Sequence, residues 1–456
     1  FIEDSFLIYN IIFIQCLKYY KTKLSNFNKV MKKLLKYIWI FFFNILLILY
    51  LTELSITLFL PTQINSYTDL DYLRYQKANE LGVEFDTRTY YQAFYEEKKN
   101  EPNLSPRYQF TKAYWSPIVF GKNNPIQKFV KSKIEKKSII PLRGPINKKT
   151  LSCNEGGARK IANNDKYGFK NPNSIYEKKI KVFLIGDSFT HGECENENTD
   201  IAGWLRNSYN INSSNYGISG AGPLLSLAAL KEYGVKLAPK NIIYFYSEAN
   251  DMQDLKIEKD TFLINYLGSF TQDLFENKIE VDNFFREYEK IAYMFLDEKM
   301  KTEKSKFNEK FDENIEKSKK RERIEVLKDF FELQKLKNVF SSKSFYFNND
   351  NTIDEKLFTR VLVQMKKTSE KMNSNFFVVY LPDWNRYNSK YSLVKFSHKK
   401  KIDKIIKSLN ISYIDITKEF EKNKDPINFY PFGLRGHYTP EGYKLIADTI
   451  SKVLIN

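Results

Sequence analysis

Apolar residues are distributed very unevenly along this chain. The stretch Tyr37–Leu60 reads YIWIFFFNILLILYLTELSITLFL, with Asn44 and Glu53 as its blemishes. At a rise of about 1.5 Å per residue it would span roughly 36 Å as a helix, enough for a bilayer core. Lys29, Lys32, Lys33 and Lys36 precede it, and Asp69 and Asp71 follow. Positive charge before the span predicts that residues 1–36 lie in the cytoplasm and the bulk of the chain outside. No small-residue cleavage site follows, so a retained anchor over 37–60 is expected, not a removed signal peptide. Met31-Lys32-Lys33 reads as a plausible true start. The earlier apolar run Phe6–Cys16 is shorter than a bilayer span.

Residues 61–180 are polar and rich in Tyr, Lys and Asn, with no clear period. They read as a small irregular domain or as an arm packed on the later part of the chain. From Lys181 the texture changes. The apolar runs 182–185, 241–246, 376–381 and 411–416 suit strands buried on both faces. Helical stretches at Ile201–Tyr209, Pro223–Tyr233 and Lys399–Leu409 alternate with them, and Glu441–Leu454 is amphipathic. Alternation of this kind predicts an α/β domain over 181–456, with a central parallel sheet between two helical layers. Residues 255–345 interrupt the order. Their middle, KMKTEKSKFNEKFDENIEKSKKRER, is almost wholly charged, and the flanks Phe284–Phe295 and Ile324–Leu336 have helical spacing. A helical insertion is expected there.

Composition changes this picture little. The chain has 456 residues, 42% of them hydrophobic, and a net charge of +17. That length allows a substantial core. Lysine is spread along the whole chain, as a solvated surface would have it, so no nucleic-acid partner is expected. Three cysteines make neither a disulfide scaffold nor a usual metal cluster. In an oxidising compartment Cys153 and Cys194 could pair, tying the segment before the first core strand to the loop after it. Histidine chemistry is confined to His191, His398 and His437.

Candidate chemistry begins at FLIGDSFTHGEC, residues 183–194, where Ser188 follows a predicted strand at once. Strand ends are where α/β sheets bind ligands. A serine needs a base and oxyanion donors to act as a nucleophile. Later loops offer them. Asn215-Tyr216-Gly217-Ile218-Ser219-Gly220 precedes one helix, and Ser247-Glu248-Ala249-Asn250-Asp251 follows a strand. Gly436-His437-Tyr438-Thr439-Pro440-Glu441-Gly442-Tyr443 precedes the last helix. Each piece alone also fits a turn, a helix cap or a structural histidine.

Taken in order, the four blocks resemble those of the SGNH, or GDSL-type, hydrolases over roughly 181–456. The resemblance implies a flavodoxin-like three-layer α/β/α fold and acyl transfer without metal or organic cofactor. It implies Ser188 as nucleophile and His437 as base. The oxyanion hole would be formed by the backbone N–H groups of Ser188 and Gly220 and the Asn250 side chain. The family usually places Asp three residues before the histidine, where this chain has Leu434. A backbone carbonyl could orient the ring instead, and Asp425 is a candidate acid with no spacing to recommend it. His191 is a rival base. The family's third block often has Gly two residues before Asn, and here that residue is Glu248. The lead-in Asp165-Lys166-Tyr167-Gly168-Phe169-Lys170-Asn171-Pro172, together with the anchor, looks like bacterial cell-envelope members of the family. That implies an inner-membrane protein with a periplasmic site for an acyl, and in particular acetyl, ester on carbohydrate. A polysaccharide O-acetyltransferase is the alternative reaction. A non-catalytic carbohydrate-binding or scaffold protein is the alternative class, and Leu434 is its best support.

Overall fold

A computed structural model of the chain describes residues 2–59, 67–108, 125–307, 330–333, 354–388 and 397–455. The first element, α1 (Ile2–Phe59), is a single helix that runs through both the Phe6–Cys16 stretch and nearly all of the expected span. Among the described residues it is the one helix long and apolar enough to cross a membrane. Over Tyr37–Ile48 its apolar side chains are exposed, Trp39 at 75% and Phe42 at 63% among them. A helix of 58 residues is about 87 Å long, so only part of it can lie within a bilayer.

Residues 64–310 and 349–456 form a compact unit of their own. Among the described residues its N-terminal part holds the helices α2 (Tyr67–Glu80), α3 (Tyr90–Asn100) and α4 (Pro125–Glu135), and a hairpin of β1 (Lys149–Leu151) and β2 (Ile161–Asn163). Then comes the sheet. Its strands are β3 (Val182–Gly186), β4 (Ser213–Gly217), β5 (Asn241–Ser247), β6 (Asn375–Leu381) and β7 (Ser412–Asp415). They pair in parallel in the order β4-β3-β5-β6-β7. Starting one strand in from the edge and then reversing makes a doubly wound sheet, whose ligand crevice lies at the reversal, beyond the carboxyl end of β3.

Both faces of the sheet are covered, which is why its strands read as unbroken apolar runs. Phe183 and Ile185 of β3 turn to one layer, with α6 (Pro223–Ala229), α9 (Glu355–Lys371) and α10 (Ser397–Ser408). Val182 and Leu184 turn to the other, with α5 (Ile201–Tyr209) and α11 (Pro440–Ile455). The expected three-layer α/β/α fold is therefore present. One strand escaped the pattern. β4 reads SSNYG and has no apolar run, yet it is wholly buried. It survives at the sheet edge because Asn171 satisfies its backbone. The Asn171 amide accepts from Asn215 N at 2.7 Å and donates to Asn215 O at 3.0 Å.

The 255–345 segment enters the structure through α7 (Asp251–Glu258) and α8 (Lys278–Phe307). α8 covers the predicted Phe284–Phe295 helix. Its residues Val281, Phe284, Phe285 and Tyr288 are buried in one core with Tyr108, Phe129 and Val130. The residues before the sheet thus share a core with the inserted helix. Most of the charged run and of the expected Ile324–Leu336 helix lies outside the described residues.

Candidate active site

β3 ends in Gly186, with φ +155°, where an added Cβ would collide with the Thr190 side chain and the Phe245 carbonyl. Only glycine allows so abrupt a change from strand to helix here. Asp187 caps the following turn by accepting from Phe189 N at 2.9 Å. Ser188 is its first residue. The turn is latched to the sheet from below: Asn215 Nδ2 donates to the carbonyls of Thr190 and His191 and to Asp200. Ser188 therefore has a fixed backbone at the sheet's reversal point.

His437 approaches from the loop ahead of α11. Two tyrosines pin this loop to the end of β6, Tyr430 and Tyr438 each donating to the Pro382 carbonyl, at 2.9 and 2.7 Å. The His437 ring lies against Phe189, centroid to centroid 4.7 Å. Its Nε2 is 2.8 Å from Ser188 Oγ. Its Nδ1 is 3.1 Å from Glu155 Oε2, and its backbone N–H donates to the same oxygen at 2.7 Å. A serine, a histidine and a carboxylate thus stand in the order that a hydrolytic relay needs.

Glu155 corrects the expectations about the acid. It belongs to the hairpin loop between β1 and β2, outside the four blocks. Asp425 is exposed at the start of the Pro426–Phe429 turn, and the His437 Nδ1 it was considered for is held by Glu155. Nor is a backbone carbonyl needed there. His191 is turned into the protein, where both ring nitrogens face Arg143 Nη2, at 2.8 and 3.1 Å. Burial, then the Arg143 charge, pushes its pKa well below the usual histidine value.

The electrostatics favour an ionised acid. Burial alone would raise the Glu155 pKa. The charge and hydrogen bonds of His437, joined by the Arg74 guanidinium, outweigh it and hold the carboxyl down to about 2. Burial would lower the His437 pKa, but the Glu155 charge and hydrogen bond raise it, with Glu193 and Asp187 adding to the effect. Glu193 is buried and held by Arg107 and the Ser219 hydroxyl. Its position next to Cys194 brings the nucleophile turn and the Ser219-Gly220 loop together.

Two further expected residues lie in the neighbouring loops. Gly220 is in the loop after β4, and Asn250 stands just before α7, after β5. The Asn250 side chain accepts from Ser247 Oγ at 2.9 Å and donates through Nδ2 to Asp254 at 2.7 Å. Glu248, which departs from the family pattern, has its own task. It accepts from Tyr380 Oη at 2.5 Å and Asp383 N at 3.0 Å and pairs with Arg386, clamping the loop after β6.

Cys153 and Cys194 are joined in a disulfide, Cα to Cα 4.8 Å. The bond ties the Glu155 loop to the segment just past the nucleophile turn. With Glu155, these sulfurs form the one group of metal-donor type within 4.8 Å among the described residues. The sulfurs are bonded to each other and the carboxylate to His437, so no donor set remains for an ion. Closing a loop of 41 residues removes chain entropy worth about 4 kcal/mol. Reduction is expected to lower the melting temperature by several degrees, and a Cys153→Ser variant should melt with the reduced protein. Equal melting with and without reductant would contradict this.

No family model matches the chain, and no curated protein does. Solved structures do resemble it. A mutant of an acetyl-xylooligosaccharide esterase from Geobacillus Stearmophilus is 14% identical, over 61% of this chain and 96% of that one, at a TM-score of 0.31. A GDSL-like lipase from Bacteroides thetaiotaomicron is 11% identical, over 61% and 89%, at 0.30. An α/β hydrolase enzyme from the Lake Arreo metagenome is 10% identical, over 60% and 96%, at 0.31. Identity and TM-score are low throughout, so the functional reading stands on the geometry of the site.

Proposed function

We propose that this chain is an SGNH-type serine esterase that acts through a Ser188 acyl-enzyme. The observation that carries the proposal is the continuous contact from Ser188 Oγ through His437 to Glu155. Ser188 Oγ attacks the acyl carbonyl while its proton passes to His437 Nε2. Glu155 accepts from Nδ1–H, holds the tautomer and stabilises the imidazolium. The protonated His437 then gives its proton to the departing alcohol, whose bond to the acyl carbon breaks. Water, or a sugar hydroxyl, repeats the sequence in reverse. The Ser188 and Gly220 N–H groups and the Asn250 amide would hold the oxyanion. Ser247 and Asp254 fix the Asn250 rotamer, and an amide has a second hydrogen to offer.

The finer reading is a membrane-anchored enzyme acting outside the cytoplasm on an acetyl ester of an envelope carbohydrate. The long apolar α1, the lysines before the expected span and the disulfide support it. The non-catalytic alternative leaned on Leu434, and Glu155 removes that support. The test is fluorophosphonate labelling of one sample of the full chain in detergent micelles, and incubation of a second, unlabelled sample with acetylated xylo-oligosaccharide. Labelling with release of acetate is the expected result. An acetylated sugar acceptor would mark a transferase. A folded protein that does not label would defeat the esterase reading.

A further inference from the structure

In the family pattern the acid and the histidine share one short loop, so the chain itself keeps them in register. Here they come from segments far apart in sequence, and something else must do so. Arg74, on α2, is placed to serve. It is 4% exposed. Its Nη2 lies 3.2 Å from Glu155 Oε1, the oxygen not facing His437, and donates to the Arg435 carbonyl at 2.7 Å. Its Nη1 donates to Asp71 at 3.0 Å. One planar fork thus holds the acid and the backbone two residues before the base. The packing is close: a Cβ on Gly436 would stand 2.8 Å from Glu155 Oε2 and 3.0 Å from Arg74 Nη2.

We infer that Arg74 is a positioning residue for the relay, keeping the Glu155 carboxylate and the His437 loop in register. The inference rests on the esterase reading above. A merely structural arginine would also be buried and bonded, but its loss would add to any other lesion. A positioning arginine acts through Glu155, so its loss should matter little once Glu155 is gone.

The experiment uses the full chain in detergent micelles with p-nitrophenyl acetate as probe. Arg74→Gln, Arg74→Lys, Glu155→Gln and the double variant Arg74→Gln/Glu155→Gln are compared with wild type, each checked by thermal melting. Misplacement of the acid by about an ångström is expected to lower kcat of Arg74→Gln by about 10²-fold with KM unchanged. Adding Arg74→Gln to Glu155→Gln is expected to change kcat by less than about threefold. A folded Arg74→Gln with wild-type kcat would overturn the inference, as would an equal loss in both backgrounds. If Arg74→Gln does not fold, Arg74→Lys decides. It keeps the charge but not the fork and should lose about tenfold, so wild-type kcat there would equally overturn the inference. Wild-type hydrolysis by Ser188→Ala or Glu155→Gln would instead strike at the underlying relay.

Discussion

Ser188→Ala is expected to abolish fluorophosphonate labelling and to lower ester hydrolysis on the order of 10⁶-fold. The reason is that Ser188 carries the attacking oxygen itself. Ser188 Oγ is the hydroxyl on His437 Nε2, at 2.8 Å, and it sits where the sheet order reverses. Alanine leaves the turn intact, because Asp187 caps it from outside. What remains should be the modest rate that oxyanion donors and binding sustain alone. His437→Ala should cost about as much, and the double variant no more than either, since the two act as one unit. Turnover of p-nitrophenyl acetate by the three folded variants checks this. Independent, multiplying losses would mean that the two residues do not share a proton.

The second large effect concerns Glu155→Gln, expected to lower kcat on the order of 10²–10⁴-fold with little change in KM. The amide keeps the size of the carboxylate but offers no charge to an imidazolium. It also changes the pH profile in a definite direction. His437 must be neutral to take the Ser188 proton, so activity rises with pH through its pKa. Glu155 raises that pKa above the ordinary 6.5. The acid limb of the wild-type profile should therefore lie above 6.5 and move down in Glu155→Gln. Stability follows the same linkage. The Glu155 pKa is depressed from 4.5 to about 2, so its contribution is present above 4.5 and lost as pH falls towards 2. The raised His437 contributes below 6.5 and loses that contribution as pH climbs through its folded value. Glu155→Gln should flatten both slopes in melts taken across pH. An acid limb that moved upward would place the charge that raises His437 elsewhere.

The sequence carried the sheet well at strands whose two faces both meet apolar helices, as at Val182–Gly186 and Asn241–Ser247, because such a strand reads as an apolar run. It was silent at β4, whose polar SSNYG is sustained by side chains distant in sequence, Asn171 above all. The nucleophile and base were legible because each stands in a short local pattern beside an element. Glu155 was not. It is an ordinary glutamate in a loop, and only a fold can bring it to His437. One clue lay next to it, since pairing Cys153 with Cys194 already carries that loop to the nucleophile turn. Arg74 had no clue at all. A buried arginine on a polar helix reads like any of the chain's many surface cations until Glu155 and the Arg435 carbonyl are in view beside it. Glu248 looked like a flaw in the third block and is a clamp on the β6 loop.

The scattering of the relay along the chain also bears on how the protein is made. The clamp at Arg74 and the acid at Glu155 leave the ribosome before the nucleophile, and His437 emerges after it, just ahead of helix α11. That helix packs against α5, beside the nucleophile strand, and cannot dock until the residues after His437 have been made. A nascent chain halted anywhere before His437 therefore has no base, and a serine without one is chemically quiet. Such a protein would switch on only once His437 and α11 had been made, after the earlier segments had passed the esters around them unharmed.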